Sequence, residues 1–476
     1  MMAKFLRSAR TLTVFVFLGL CGCSAISPSS APSVTPNPAK PNIILILTDD
    51  QPPQSLQYMP IVQRELVGKG INFVNGYVTT PLCCPSRASI LTGLYAHNHG
   101  VLTDEPPQGG AEAFKDASTI AVWLKAAGYR TAMMGKYLND YEALTPAGYV
   151  PPGWDEWDAF MAHGSNNMGY YLGYGMSENG KLVQYTMDPK DFSSDVLTAK
   201  ALQFIQDSGN RPFFLFLAYY NPHQTFQAAD RFKNMFKTDA TFTPYRPPNF
   251  LPLDLTGRPD WLKTFSKPDA ASLDHIYQRI LRSLQSVDEA VGKITDLLNA
   301  QSERNRTAVF YLTDNGEALG DNGILGKDCP YDACSHVPFI VSYPPLTSKP
   351  RTDDHFVLNI DLAPTFAALG GAAIPGHING VNLLPLLSNP ATTWRDSFLI
   401  EHWRDLGPKQ DAPTAIIPTF YAIRTKNWKY VEYDNGDREL YDLVADPYEL
   451  HNIASQPQYA VIIATLQAQL HDLKSQ

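Results

Sequence analysis

The sequence predicts an α/β protein: a large central mixed β-sheet flanked by helices, with a smaller C-terminal α+β domain. Three observations carry that prediction. Asn42-Ile43-Ile44-Leu45-Ile46-Leu47-Thr48 is an apolar run closed by Asp49-Asp50, as expected of a strand buried on both faces that delivers carboxylates at its C-terminal edge. Apolar runs at Arg130 to Met134, Phe213 to Ala218 and Ala308 to Leu312 alternate with helical periodicity at Ser118 to Ala127, Ser194 to Asp207 and Leu273 to Leu298, which is the layered α/β pattern. After about Asn389 the character changes to short strand-like runs at Ser397 to Ile400, Phe420 to Arg424 and Lys429 to Tyr433, then a final helix from Tyr459 to Leu473.

With 476 residues the chain exceeds what one core ordinarily fills, since single cores stop growing at about 250–300 residues. Residues 1–23 hold Lys4, Arg7 and Arg10, then the apolar run Leu12 to Leu20, the layout of an export signal rather than of a spanning helix. Leu20-Cys21-Gly22-Cys23 resembles a bacterial lipobox, which would attach lipid to Cys23; ordinary signal cleavage near Ala25 to Ala31 is the alternative. Residues 24–40 are rich in serine and proline and read as a tether. The large α/β unit is then expected over 41–389 and the α+β unit over 390–476. A segment rich in proline, Thr225 to Thr264, reads as a long surface excursion beside the site.

The formal net charge of −9 argues against a general nucleic-acid binder, which would need a basic surface. Of six cysteines, two lie in the signal and Cys83 and Cys84 are adjacent, so Cys329 and Cys334 remain. That is no disulfide-rich scaffold. The last two can pair with each other in an exported protein; zinc finds less support, because no second pair at metal spacing accompanies them.

The chemistry centres on Pro81-Leu82-Cys83-Cys84-Pro85-Ser86-Arg87. Pro85 and the helical return of Ile90 and Leu91 put Cys83 at a helix N-terminus. Unpaired N–H groups, the dipole and Arg87 about one turn on all favour an anion there. Asp49-Asp50 has a counterpart in Asp314-Asn315-Gly316, which also follows an apolar strand. Three carboxylates and an amide suit a hard divalent cation, calcium before zinc; taken singly, each is also a good turn or cap sequence.

The pentapeptide Cys83 to Arg87, with Leu91-Thr92-Gly93 after it, resembles the sulfatase signature, in which the first cysteine is oxidised to formylglycine by a maturation enzyme. The resemblance extends from Asn42 to the C-terminal region and implies that Asp49, Asp50, Asp314 and Asn315 hold one Ca2+ beside residue 83. It further implies that Arg87, Lys136, His223 and Lys327 bind the sulfate and serve the reaction. Hydrated formylglycine would attack sulfur through one hydroxyl, Lys327 or His223 would protonate the departing alcohol, and the second hydroxyl would release sulfate. Leu138, where many arylsulfatases carry histidine, together with Cys84 and His97-Asn98-His99, is similar to the spelling of N-acetylglucosamine-6-sulfatases. Leu94 and His336 depart from the commoner basic residues. Asp361-Leu362-Ala363-Pro364-Thr365 and Leu440-Tyr441-Asp442-Leu443 read as structural, and His97 and His99 as packed before cleft-lining.

The expectation is thus an exported, lipid-anchored sulfatase, periplasmic or cell-surface, acting on a sulfated carbohydrate such as glucosamine 6-sulfate in glycosaminoglycans. Two alternatives stand beside it. One is a phosphate or phosphonate monoester hydrolase of the same alkaline phosphatase superfamily; the other is a silent glycan-binding lipoprotein in which Cys83 stays a thiol.

Overall fold

Strand β1, Asn42–Asp49, lies inside a ten-stranded sheet. The other nine strands are β2 (Ile71–Phe73), β3 (Arg130–Gly135), β4 (Glu156–Ala162), β5 (Gly175–Glu178), β6 (Lys181–Gln184), β7 (Phe213–Pro222), β8 (Thr307–Thr313), β9 (Phe339–Ser342) and β10 (Arg351–Asp353). They are ordered β10-β2-β9-β8-β1-β7-β3-β4-β5-β6. Neighbours from β8 to β4 run parallel, while β9, β5 and β6 pair antiparallel with their neighbours, so the sheet is mixed, as expected. The computed structural model describes residues 11–14, 40–144, 148–162, 168–237, 242–265, 267–404 and 417–476. Cys23 and the tether as far as Ala39 lie outside the described residues, as does all of the signal except 11–14. The chain divides into two units, Met1–Ala39 and Lys40–Gln476, and the fold belongs to the second. Among the described residues no helix is long and apolar enough to cross a membrane.

Every residue of β1 is buried, and the period of two sends alternate side chains into two cores. Ile43, Leu45 and Leu47 join helices α1 (Cys83–Thr92), α2 (Ile120–Ala126) and α5 (Leu362–Gly370) through Ala88, Leu124 and Phe366. Ile44 and Ile46 join α3 (Ser193–Ser208) and the 31-residue α4 (Ala270–Ala300) through Ala201, Leu284 and Val291. At about 25 cal/mol per Å2 of apolar area, these two faces supply the main stabilisation of the sheet.

The C-terminal region forms a separate four-stranded antiparallel sheet, β11 (Ser397–His402), β12 (Phe420–Thr425), β13 (Trp428–Tyr433) and β14 (Arg438–Asp442), in sequential order. Helix α6 (Ala460–Lys474) covers it with Leu466 and Leu470. The cluster that includes Phe398, Ala422 and Val431 also takes in Tyr77, Tyr331, Cys329 and Cys334. This second sheet therefore packs on the loop between β8 and β9 and on the approach to α1.

Strand β7 runs four residues beyond the Ala218 at which its apolar run ends. Its polar extension is buried because Asn221 Nδ2 donates to the Ser283 carbonyl at 2.9 Å and its Oδ1 accepts from Ser194 Oγ at 2.5 Å. Sequence periodicity cannot register a strand end held by partners 27 and 62 positions away. Within the expected excursion, the described residues 242–264 reach the β8–β9 loop: Leu251 N–H donates to Gly320 O at 2.8 Å and Arg258 to Asn322 Oδ1 at 3.0 Å.

His99 is packed rather than cleft-lining. Val101 N–H donates to its Nδ1 at 3.1 Å, and its Nε2 lies 3.1 Å from Ser89 Oγ on α1. Burial, with His97 nearby, pushes His99 down to about 3. A base depressed on folding lends stability that is complete above its unfolded value and is lost as pH falls, because the unfolded chain protonates first. We expect His99→Gln to remove about 1.4 kcal/mol per pH unit from the slope of unfolding free energy between about pH 6 and 4, as read from urea titrations across that range.

Candidate active site

The parallel register of β8, β1, β7 and β3 brings their C-terminal ends to one edge. Thr48 pairs with Thr313, Asp49 with Pro222, and Gly135 with Ala218. Asp49-Asp50, Asp314-Asn315, His223 and Lys136 consequently leave the sheet side by side, at the edge where open α/β sheets bind ligands. Asp50 takes a left-handed backbone, φ 62°, which aspartate tolerates better than most residues; its N–H donates to Asp314 Oδ1 at 3.2 Å. Gly135 turns Lys136 inward with φ 106°, and a Cβ there would lie 1.9 Å from the Ala218 carbonyl, so glycine is required.

Helix α1 brings Cys83 to this edge as its first residue, and Gly93 ends it with φ 74°. All ten of its residues are buried. Cys83 Sγ lies 3.6 Å from Asp49 Oδ1 and 3.8 Å from Asp50 Oδ1, and Lys327 Nζ is 2.7 Å from both Cys83 Sγ and Asp50 Oδ1. Arg87 Nε donates to Asp314 Oδ2 at 2.7 Å and its NH1 to the Lys136 carbonyl at 2.5 Å. Lys136 Nζ reaches Asp49 Oδ2 at 2.6 Å. His223 Nε2 lies 3.6 Å from Asp50 Oδ2, while its Nδ1–H donates to the Gln224 carbonyl at 2.7 Å. Every site residue expected from the sequence is thus within this one group.

Burial and the charge of Asp314 push Asp49 up to about 7. For Asp50 burial acts the same way, but the Lys327 ammonium, with Lys136, outweighs it and holds the carboxyl below its ordinary range. Burial would lower Lys136, but Asp49, with Cys83 and Asp314, outweighs it, so the ammonium persists. Burial pushes His223 down to about 3, and burial pushes the Cys83 thiol well up. An unmodified Cys83 is therefore a poor nucleophile, because the thiolate is the reactive form.

One ligand atom from each of Asp49, Asp50, Cys83 and Asp314 fits within 4.8 Å of the others. Asn315 spends its Nδ2 on Asp50 Oδ1 at 2.7 Å, and its Oδ1 is buried without a hydrogen-bond partner. An unpartnered amide oxygen beside three carboxylates fits a hard cation.

Lys327 is held from three sides. Asp328 N–H donates to Pro81 O at 3.1 Å, tying its loop to the approach of α1. Cys329 and Cys334 form a disulfide, so the pairing left open by the sequence is made. Between those cysteines, Asp332 takes Lys429 Nζ at 2.5 Å, Arg424 NH2 at 3.2 Å and the Tyr77 hydroxyl at 2.9 Å.

The anion site expected at the helix end is narrower than the sequence suggests. Cys84 N–H is already given to Asp104 Oδ1 at 2.8 Å and Ser86 N–H to Leu82 O at 3.0 Å. Asp104 was not legible, since Leu102-Thr103-Asp104-Glu105 carries no periodicity or spacing that links it to α1. Tyr220 was also missed: its ring stacks on His223 with centroids 4.6 Å apart and lies 5.7 Å from Lys136 Nζ.

The sulfatase family profile matches residues 41–372, and the profile of the C-terminal region of N-sulphoglucosamine sulphohydrolase matches 320–476. This chain belongs to the sulfatase family. It is 32% identical over 460 residues to the N-acetylglucosamine-6-sulfatase of Homo sapiens, covering 87% of this chain and 81% of that one. With the N-acetylglucosamine-6-O-sulfatase of Bacteroides thetaiotaomicron it shares 27% over 493 residues, covering 88% and 84%. The extracellular sulfatase SULF-1 homologue of Drosophila melanogaster is 35% identical over 388 residues, 76% of this chain, and the chain spans only 33% of its length; it spans 52% of the Sulf-1 homologue of Caenorhabditis elegans. Among solved structures, a protein in complex with its substrate D-glucosamine-2-N,6-O-disulfate superposes with TM-score 0.79 at 25% identity, over 92% of this chain and 98% of that one.

Opening the loop of this sulfatase-family site has a defined cost. The Cys329→Ser, Cys334→Ser double variant should lose about 2 kcal/mol of unfolding free energy, the value for so short a closed loop. Hydrogen exchange should rise over residues 325–335 while β1 stays protected. Unchanged exchange there would mean that the disulfide does not hold the Lys327 loop.

Proposed function

We propose that this protein is an exported sulfatase that hydrolyses sulfate monoesters on sulfated sugars, with glucosamine 6-sulfate of glycosaminoglycans as the leading substrate. The observation that carries this reading is the setting of Cys83: a helix-end residue between a buried oxygen cluster and the Lys327 ammonium. The activities for which the human and Bacteroides relatives are named, and the sulfated glucosamine bound in the similar solved structure, support the choice of sugar. The charged, apolar and Leu20-to-Cys23 segments support export, with Cys23 as the lipid anchor.

In this reading a maturation enzyme converts Cys83 to formylglycine, whose hydrate supplies one hydroxyl to attack sulfur and a second to release sulfate. A calcium ion, held by Asp49, Asp50, Asp314 and Asn315 beside residue 83, would supply Lewis acidity and favour the ionised hydroxyl. Arg87 and Lys136 present fixed positive charge where the sulfuryl oxygens gain charge. Neutral His223 donates its Nδ1–H to the Gln224 carbonyl, so Nε2 bears the lone pair and is set to accept a proton, not to give one. Lys327 is therefore the donor assigned to the departing alcohol.

The first test is the mass of the tryptic peptide Gly70 to Arg87 from protein made in its own host and alkylated. An aldehyde at Cys83 is expected; alkylation of both Cys83 and Cys84 would leave the silent glycan-binding reading in its place. Paired sulfate and phosphate esters of one sugar should then be turned over in favour of sulfate, and a preference for phosphate or phosphonate would move the protein to that branch of the superfamily. Lys327→Ala should cut kcat by about 100-fold or more on a sugar sulfate, and by far less on an aryl sulfate with an acidic leaving group. In calorimetric titrations, Asp50→Asn and Asn315→Ala should each weaken calcium binding at least about tenfold.

A further inference from the structure

Helix α1 begins without a side-chain cap from its own N-cap residue. Leu82 at the N-cap offers no acceptor, and Pro85, the third helical residue, has no N–H for a capping side chain to bond. With Ser86 N–H on Leu82 O, the donors left at this end belong to Cys83 and Cys84. Cys84 N–H goes to Asp104 Oδ1 at 2.8 Å, twenty positions along the chain.

Asp104 is not on a loose loop. Leu102 N–H donates to Gln108 O at 2.8 Å, Gly110 N–H to Thr103 O at 3.1 Å, and Thr103 Oγ1 to Glu105 O at 2.9 Å. The two sides approach so closely that a Cβ on Gly109 would lie 1.7 Å from Thr103 O. Ala111 N–H donates to Asn139 O at 2.8 Å, which fastens the loop to the segment leaving β3. Burial raises the carboxyl of half-buried Asp104 above its ordinary value, while Lys327, Lys136 and the Cys84 N–H act the other way and favour its charged form.

We infer that Asp104 is a positioning residue that caps the nucleophile helix from outside, so that Cys83's own N–H is the helix-end donor an anionic substrate meets. Two effects combine. The bond holds the end of α1 at a fixed height against Asp49 and Asp50, and the negative charge tempers the attraction of Lys136 and Lys327 for a bound anion. Removing Asp104 therefore loosens the nucleophile and at the same time frees Cys84 N–H and strengthens the positive field. Turnover falls while anion binding tightens, a combination that simple loss of fold does not produce.

The inference rests on the proposed function, and the test separates the two. Full-length parent, Asp104→Ala and Asp104→Asn are compared at equal formylglycine content, set by peptide mass, with thermal midpoints recorded. Asp104→Ala should lower kcat on the sulfated sugar about tenfold, the worth of a lost cap. Its KM and its calorimetric Kd for inorganic sulfate should both fall about threefold, as expected for one charge removed several ångströms away in a wet site. Asp104→Asn keeps an acceptor oxygen and should restore kcat to within about threefold of the parent, with sulfate still bound more tightly. Parent kcat in Asp104→Ala, unchanged or weaker sulfate binding there, or failure of Asn to restore kcat would each overturn the inference. A parent that turns over no sulfate ester overturns the proposed function instead, and a parent that turns it over but binds no inorganic sulfate overturns this inference alone.

Discussion

The interaction on which the rest depends is the crowding of Asp49, Asp50 and Asp314 at the ends of two neighbouring parallel strands. Three buried carboxylates are costly in themselves, and breaking one buried ion pair leaves a charge whose penalty is about 3–5 kcal/mol. The chain answers each from a different element: Arg87 on α1 serves Asp314, Lys136 after β3 serves Asp49, and Lys327 from the β8–β9 loop serves Asp50. On the proposed reading, the same cations that make the carboxylates tolerable also face an incoming anion. Structure and reactivity draw on one set of charges.

That dependence explains why so much of the C-terminal sheet is polar at its contact with the main body. Lys429 is fully buried and divides its ammonium between Asp332 and Glu449, and Arg258 packs over Tyr331 and Tyr441 beside Glu439. These partners fix the disulfide loop, and the disulfide loop fixes Lys327. The second sheet thereby reaches the site through the disulfide loop. Gly316 shows how tight the junction is, since a Cβ there would lie 2.4 Å from Ala333 O.

The legible parts were those in which local sequence and final environment agree. Asn42 to Asp50 could be read because burial on both faces writes an unbroken apolar run, and Asp314-Asn315 because it repeats that spelling after β8. Cys83, Pro85 and Arg87 could be read because helix-start chemistry is local. Lys136, His223 and Lys327 are ordinary loop residues by pattern, and only the resemblance singled them out; the parallel register is what brings them to one edge. Asp104 escaped every local signal, since its bond to Cys84 is made by loop geometry. Tyr220 escaped because the apolar run of β7 stops before the strand does.

On the proposed reading, the pairing of cation with carboxylate also sets how the site divides its binding between ground and transition states. Arg87, Lys136 and Lys327 without counter-charges would hold a sulfate dianion, the product, as firmly as anything on the path to it, and such uniform binding adds nothing to turnover. Asp49, Asp314 and Asp50 reduce that ground-state attraction while leaving the donors oriented. Charge that develops on the sulfuryl oxygens and on the departing alcohol then meets groups already in place, so little reorganisation accompanies the step. A buried cluster whose three carboxylates offset most of the charge of Arg87, Lys136, Lys327 and the calcium ion is thus better suited to this chemistry than a simple basic pocket, and it is consistent with a chain whose net charge is −9.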